Sequence, residues 1–242
     1  MGTRSKIALI TGANKGIGLE IARQLGRQGF TVLVGARDSG RGTAAVESLA
    51  SEDIDARFVQ IDVTDVQSIN SAAKLIAAEF GKLDVLVNNA GIFIENKPPS
   101  TIDVSRVRAT YETNFFGPLN VTQAMLPLIR KSDAGRIVNV SSGLGSIGTM
   151  SDPDSPYGGF SLAGYNSSKS ALNALTVAFA NELRDTNIKV NAADPGYVAT
   201  DLNNHSGPRT VEQGATEPVR LATLGPDGPT GAFFNDEGPV PW

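Results

Sequence analysis

The sequence predicts an α/β fold: a doubly wound parallel sheet of about seven strands in one domain, residues 1–242, with helices on both faces. Three observations predict it. Short apolar runs without helical period recur along the chain, and amphipathic stretches separate them. The runs are Val- and Ile-rich and continuous rather than alternating, which suits strands buried on both faces. The first run passes straight into a glycine-rich loop and then a helical pattern, the order of a βαβ unit.

Taken in order, the strands are expected at 6–10 (KIALI), 31–36 (TVLVGA), 56–62 (ARFVQID), 83–89 (LDVLVNN), 135–141 (GRIVNVS) and 188–194 (IKVNAAD), with a seventh at 231–234 (GAFF). Helices are expected near 16–29, 40–51, 65–80, 101–130 and 163–185. In the first helix Ile17, Ile21 and Leu25 share a face and Gly29 stops it. Thr64 or Asp65 caps the third, which ends at Gly81. The Pro- and Gly-rich stretches near 143–160 and 225–241 are loops within the domain, not boundaries.

Composition narrows the function. The net charge of -4 and scattered basic residues argue against a nucleic-acid surface. The absence of cysteine excludes disulfides and thiolate chemistry and fits a cytoplasmic protein. No apolar run reaches the roughly 18 residues of a membrane helix, and the N-terminus lacks the pattern of a signal peptide. With one histidine, His205, expected as an exposed loop residue, neither a histidine-based zinc site nor a Ser-His-Asp triad is expected, and no metal is assigned.

The loop TGANKGIG (11–18) carries Gly12, Gly16 and Gly18 between a strand and a helix. A helix N-terminus offers unpaired N–H groups, and residues without side chains let a pyrophosphate approach the backbone. A tight turn is the plainer explanation, so the second strand matters. Dinucleotide folds place there either an acid for the ribose hydroxyls or a base for a 2′-phosphate. TVLVGA ends at Ala36, and Arg37 follows. Arg37, with Lys15 from the loop, favours NADP(H) over NAD(H). Asp38 opposes a phosphate unless it caps the next helix.

Chemistry collects at one edge of the predicted sheet. YNSSK puts Tyr165 and Lys169 at i and i+4 on one helix face, where an ammonium lowers a phenol's pKa and makes a proton donor. NVSS (139–142), NNAG (88–91) and DPGYVAT (194–200) close three strands at the carboxyl edge where open α/β sheets bind ligands. Asn114 is a mild misfit inside a long helix, explained by a bound water or a backbone bond.

These pieces in this order (TGANKGIG, Asp62-Val63, NNAG, Asn114, Ser142, YNSSK and Pro195-Gly196) resemble the compact, single-domain branch of the short-chain dehydrogenase/reductase family, with a Rossmann-type sheet. The likeness spans nearly the whole chain. Carbonyl reductases of the family are especially similar in NKGIGLEIARQL, LDVLVNNAGI, TNFFG and the C-terminal segment. The resemblance implies roles. Tyr165 would be the acid/base, and Lys169 would lower its pKa and hold the nicotinamide ribose. Ser142 would hydrogen-bond the substrate carbonyl, and Asn114 would hold a water. Gly12, Asn14, Lys15, Gly16, Ile17 and Gly18 would take the pyrophosphate. Asp62 and Val63 would meet the adenine. Asn88, Ala90 and Gly91 would lie beside the cofactor, and Pro195, Gly196, Val198 and Thr200 would border the nicotinamide. The implied activity is NADPH-dependent reduction of aldehydes or ketones, reversible toward alcohols. Two alternatives remain: an NADP-binding redox sensor without turnover, and a nucleotide-sugar epimerase, for which the 42 residues after Thr200 are too few to build a substrate domain.

Two departures from the family stand out. The spacing from Ser142 to Tyr165 is long, and its surplus, 146–164, carries Pro153, Pro156, Gly158 and Gly159, so it is expected as a loop. The chain also ends in FFNDEGPVPW in place of a common terminal strand and DGG. Both touch surfaces used for assembly by oligomeric relatives, so a monomer is favoured over a homodimer. Residues 201–220 are expected as the substrate loop, polar and unpatterned.

Overall fold

The computed structural model describes residues 5–95, 97–155, 157 and 159–242. Pro156 and Gly158 lie outside these described residues.

Eight strands form one sheet: β1 (Ile7–Thr11), β2 (Thr31–Ala36), β3 (Ala56–Gln60), β4 (Val85–Asn88), β5 (Arg136–Val140), β6 (Lys189–Ala193), β7 (Phe233–Asn235) and β8 (Gly238–Pro239). Their order is β3-β2-β1-β4-β5-β6-β7-β8. Every pairing is parallel except β7 with β8. The seven expected strands are all present. The eighth is a short hairpin return, turned by Asn235, whose Oδ1 accepts the N–H groups of Glu237 and Gly238.

Strand residues alternate between two cores, as the period of two requires. Leu9, Leu33, Leu86 and Ile137 face one side, against helices α3 (Val66–Glu79), α5 (Gly117–Ile129) and α7 (Ala163–Glu182). Ala8, Ile10, Val32, Val34 and Val87 face the other, against α1 (Gly16–Arg27), α2 (Ser39–Ala50) and α8 (Val211–Ala222). A strand apolar on both faces is stable only between two helical layers, which is why these runs show no alternation.

Helix starts follow the expected chemistry at three places. Asp38 accepts from Arg41 N at 2.8 Å and caps α2, Asp65 accepts from Gln67 N and caps α3, and Asp103 accepts from Ser105 N and caps α4 (Val104–Tyr111).

Three expectations need correction. The long helix at 101–130 is two α-helices, α4 and α5, joined by a turn of π-helix at Glu112–Phe116 that contains Asn114. The loop at 146–164 holds a short helix, α6 (Ile147–Ser151), because Ser146 Oγ accepts from Thr149 N at 3.0 Å and starts it. The substrate loop ends early: residues from 211 onward are α8. Thr210 and Gln213 form a reciprocal capping box, and Ala215, Val219 and Ala222 bury one face. Pro218 interrupts the usual helical composition there, and so hides the pattern.

Candidate active site

Strand order reverses between β1 and β4, and the crevice beyond their carboxyl ends becomes a cleft of about 670 Å³. Its walls come from the glycine loop, the end of β2, the segments after β3, β4 and β6, and the first turns of α7.

The glycine loop is shaped by close approach. Gly12 has φ +64, and a Cβ there would stand 3.0 Å from Ala90 Cα. Gly18 lies in the first turn of α1, where a Cβ would meet Asn89 Nδ2 at 2.4 Å and Gly12 O at 2.6 Å. Asn89 holds this packing by donating to Thr11 O at 2.9 Å. The first turn of α1 has no side-chain cap, so its N–H groups are left for an anion. Gly12, Asn14, Lys15, Gly16, Ile17 and Gly18 all line the cleft.

Beyond β2 stand Arg37, the sequence candidate, and Arg41, which sequence reasoning missed. Both are exposed, and among the described residues neither forms an ion pair. The Asp38 carboxylate is turned onto the N-terminus of α2, which removes its objection to a phosphate. Lys15 instead pairs with Asp201 at 2.5 Å, and His205 Nε2 meets the other oxygen of Asp201 at 2.8 Å. Both partners of this pair are exposed, so water and salt screen it and Lys15 can turn to an anion. Asp62 and Val63 line the floor beside Arg37. Burial pushes the Asp62 carboxyl up, but hydrogen bonds from Thr64 and the Arg37 charge hold it below its ordinary value.

Ala90, Gly91, Pro195 and Thr200 also line the cleft, whereas Asn88, Gly196 and Val198 do not. Asn88 turns inward and donates to Thr122 Oγ1 at 3.0 Å and Asn139 Oδ1 at 2.8 Å. The adjacent Asn89 takes the wall instead, a one-residue swap set by the pleat. Gly196 packs beneath Arg209, and Val198 is buried in a bridge to Arg209.

At the deep end, Tyr165 and Lys169 share a face of α7, with Nζ 5.8 Å from the ring centroid. Lys169 is buried, and its Nζ donates to Val140 O at 2.8 Å. Asn114 lies close by: a Cβ on Gly91 would be 3.5 Å from its Oδ1 and 3.7 Å from Lys169 Nζ. The asparagine misfit is explained by backbone bonds. Ile92 N donates to Asn114 Oδ1 at 2.9 Å, and Asn114 Nδ2 donates to Ile92 O at 3.0 Å. Of the two serines after β5, Ser141 lines the cleft wall and donates to Asn173 Oδ1, while Ser142 accepts from Leu144 N at 3.2 Å and lies close enough to Tyr165 to pull its pKa down. The structure thus brings Asn114, Ser142, Tyr165 and Lys169 near one another, and of the four Tyr165 and Lys169 line the deep end of the cleft.

The electrostatics correct the sequence expectation. Burial pushes the Tyr165 phenol up to about 12; the Ser142 hydrogen bond works against this, and the Asp194 charge adds to it. Burial likewise pushes Lys169 down to about 8, with Asp194 opposing. Desolvation outweighs the Ser142 contact, so Tyr165 is held neutral. Asp194 was not among the sequence candidates. It is 5% exposed, and burial raises its carboxyl against hydrogen bonds from the Gly196 and Gly143 backbone.

Residues 6–210 match the profile of the short chain dehydrogenase family. The chain belongs to this family. Carbonyl reductase [NADPH] 1 of Sus scrofa is 37% identical over 280 aligned positions, covering 100% of this chain and 96% of the relative. The (+)-neomenthol dehydrogenase of Arabidopsis thaliana is 35% identical, covering 95% of this chain and 96% of the relative. Among solved structures, NADPH-bound carbonyl reductase from chicken fatty liver superposes with a TM-score of 0.86 at 30% identity, covering 99% of this chain and 100% of that one. The aligned length against the pig relative exceeds the 242 residues of this short-chain dehydrogenase, so the relative carries insertions.

Proposed function

We propose that the chain is an NADPH-dependent carbonyl reductase of the short-chain dehydrogenase family, acting on aldehydes or ketones through Ser142, Tyr165, Lys169 and Asn114. The observation that carries this reading is the single cleft running from a cationic end, Arg37 and Arg41, past an uncapped helix N-terminus to Tyr165 and Lys169. NADP(H) fits it: the arginines suit a 2′-phosphate, the glycine loop a pyrophosphate, and the walls at Ala90, Gly91, Pro195 and Thr200 a nicotinamide riboside.

When bound, the cofactor supplies hydride to the carbonyl carbon. The chain supplies everything the developing oxyanion needs. Ser142 and Tyr165 donate hydrogen bonds where the negative charge grows, and Tyr165 passes its proton to the oxygen. Lys169 places a positive charge beside the phenolate that remains. A phenol pushed up to about 12 is protonated at neutral pH, the form that reduction consumes.

Apolar groups border the deep end: Phe93 packs edge-on against Tyr165 at 5.4 Å, and Ile94 and Leu202 line the cleft. These suit an apolar carbonyl compound. A panel of aromatic aldehydes and ketones assayed for NADPH consumption and alcohol product tests the proposal. Binding of NADPH without consumption across the panel rejects it in favour of a sensor.

A further inference from the structure

The helix that carries Tyr165 has no cap of its own. Leu162, the residue before α7, brings no side-chain acceptor to the first turn. The opening N–H groups of a helix have no intrahelical partner, and a serine, aspartate or asparagine at the cap position ordinarily takes them. Here the acceptor comes from elsewhere in the chain. Glu95, in the segment after β4, accepts from Gly164 N through Oε2 at 2.9 Å and from Tyr165 N through Oε1. Glu95 is only 7% exposed. Gly164 makes the space: a Cβ there would stand 2.8 Å from Glu95 Oε1 and 3.2 Å from Val107 Cα.

The same short segment forms a wall of the cleft. Ala90 through Ile94 line it. Asn114 clamps Ile92 from both sides, and Arg106 Nη1 donates to Ile94 O at 2.7 Å. Phe93 packs edge-on against the Tyr165 ring. One stretch of six residues therefore faces the cleft at its start and grips the backbone of Tyr165 at its end.

We propose that Glu95 is a positioning residue: by capping α7 from the β4 segment, it sets the Tyr165 phenol in register with the cleft wall. The proposal rests on Tyr165 as the proton donor of the reaction. Catalytic groups displaced by about 1 Å lose up to about 100-fold in rate, so a cap at the adjacent peptide has leverage out of proportion to its contribution to folding.

Glu95→Ala and Glu95→Gln, compared with wild type, test it in three ways: the NADPH dissociation constant by cofactor fluorescence, kcat and KM with an aromatic aldehyde, and hydrogen exchange at the Gly164 and Tyr165 amides. In Glu95→Ala we expect kcat to fall about 10-fold or more, with KM and the NADPH constant within about threefold. The two amides should exchange about 10-fold faster or more. Glu95→Gln keeps the length and one acceptor oxygen, so it should fall between the two. An alanine variant within twofold of wild-type kcat overturns the proposal. So does a parallel loss of kcat, NADPH affinity and protection along all of α7, which marks general loosening. If the alanine variant does not fold, the glutamine variant decides: unchanged kcat with unchanged exchange overturns the proposal. Wild type that binds NADPH yet reduces no carbonyl defeats the functional reading instead, while exchange at the two amides still reports on the cap.

Discussion

Tyr165 and Lys169 stand one turn apart, and the same burial drives them in opposite directions, the phenol to about 12 and the ammonium to about 8. Each is pushed toward its neutral form. Removing only the phenolic O–H, as in Tyr165→Phe, should cut reduction by about 10³-fold or more while the NADPH dissociation constant stays within about threefold. Full activity in that variant rejects Tyr165 as the acid. The lysine yields a prediction on stability. Its folded pKa of about 8 lies below the ordinary 10.5, so under pH 8 it is charged in both folded and unfolded states. The penalty of burying that charge is therefore fully present below pH 8, and fades as the pH rises from about 8 to 10.5. A buried methionine of similar length removes the penalty but forfeits the bond to Val140 O. Lys169→Met should thus raise Tm at pH 7 by about 2–6 °C and abolish reduction, with the gain shrinking above pH 8. Thermal scans at pH 7 and pH 10 check this; a gain that grows with pH contradicts the assignment. Activity follows the same group: kcat/KM for reduction should hold to about pH 8 and fall above it, and a profile flat to pH 10 removes Lys169 as the supporting cation.

Strand ends and helix starts decide the cofactor. The end of β2 presents Arg37 and, a turn into α2, Arg41, with Asp38 occupied at the helix cap. Arg37→Asp exchanges a charge-assisted contact for a repulsion. It should lower kcat/KM with NADPH by about 100-fold and change the value with NADH little. Equal use of both cofactors by wild type contradicts the assignment. This part of the site was legible because one residue type at one position carries the discrimination. The glycine loop and the Tyr-Lys pair were legible for the same reason: their spacing alone dictates which groups share a turn or a face. Elsewhere the signal was not local. Asn88 and Asn89 are adjacent asparagines, and only the pleat of β4 decides which faces the cleft. The start of α8 is a capping box within a polar stretch, and Pro218 masks the period of its buried face. Glu95 sits 69 residues before the Gly164 amide it binds, and no local pattern links the two. The phenol pKa moves opposite to the expected direction for a related reason: i,i+4 spacing places the ammonium, but burial, which the third dimension sets, is the largest influence on the phenol.

Across the whole molecule, assembly turns on what the surface leaves uncovered. Described residues near both ends of the long Ser142–Tyr165 spacing are hydrogen-bonded. Asn166 Nδ2 donates to Phe160 O at 2.8 Å, and Gly148 N donates to Trp242 O at 3.0 Å. Trp242 in turn stacks on Phe233 at 5.7 Å, so the altered C-terminus and the long Ser142–Tyr165 spacing are parts of one structure. On α7 the exposed positions include Ala174, Ala178, Asn181 and Glu182, and none of the large exposed apolar residues belongs to that helix. They are instead scattered, on α3 at Val66 and Leu75, on α4 at Val104, on the π-turn at Phe116, and around the cleft mouth and C-terminus. A stable homodimer buries about 1,200–2,000 Å² or more around an apolar centre, usually with aromatic or aliphatic anchors near the middle. A face of alanines, an asparagine and a glutamate supplies no such anchor. The chain should therefore remain a monomer, with a light-scattering mass near 25.3 kDa at micromolar concentration. A mass near twice that value overturns the expectation.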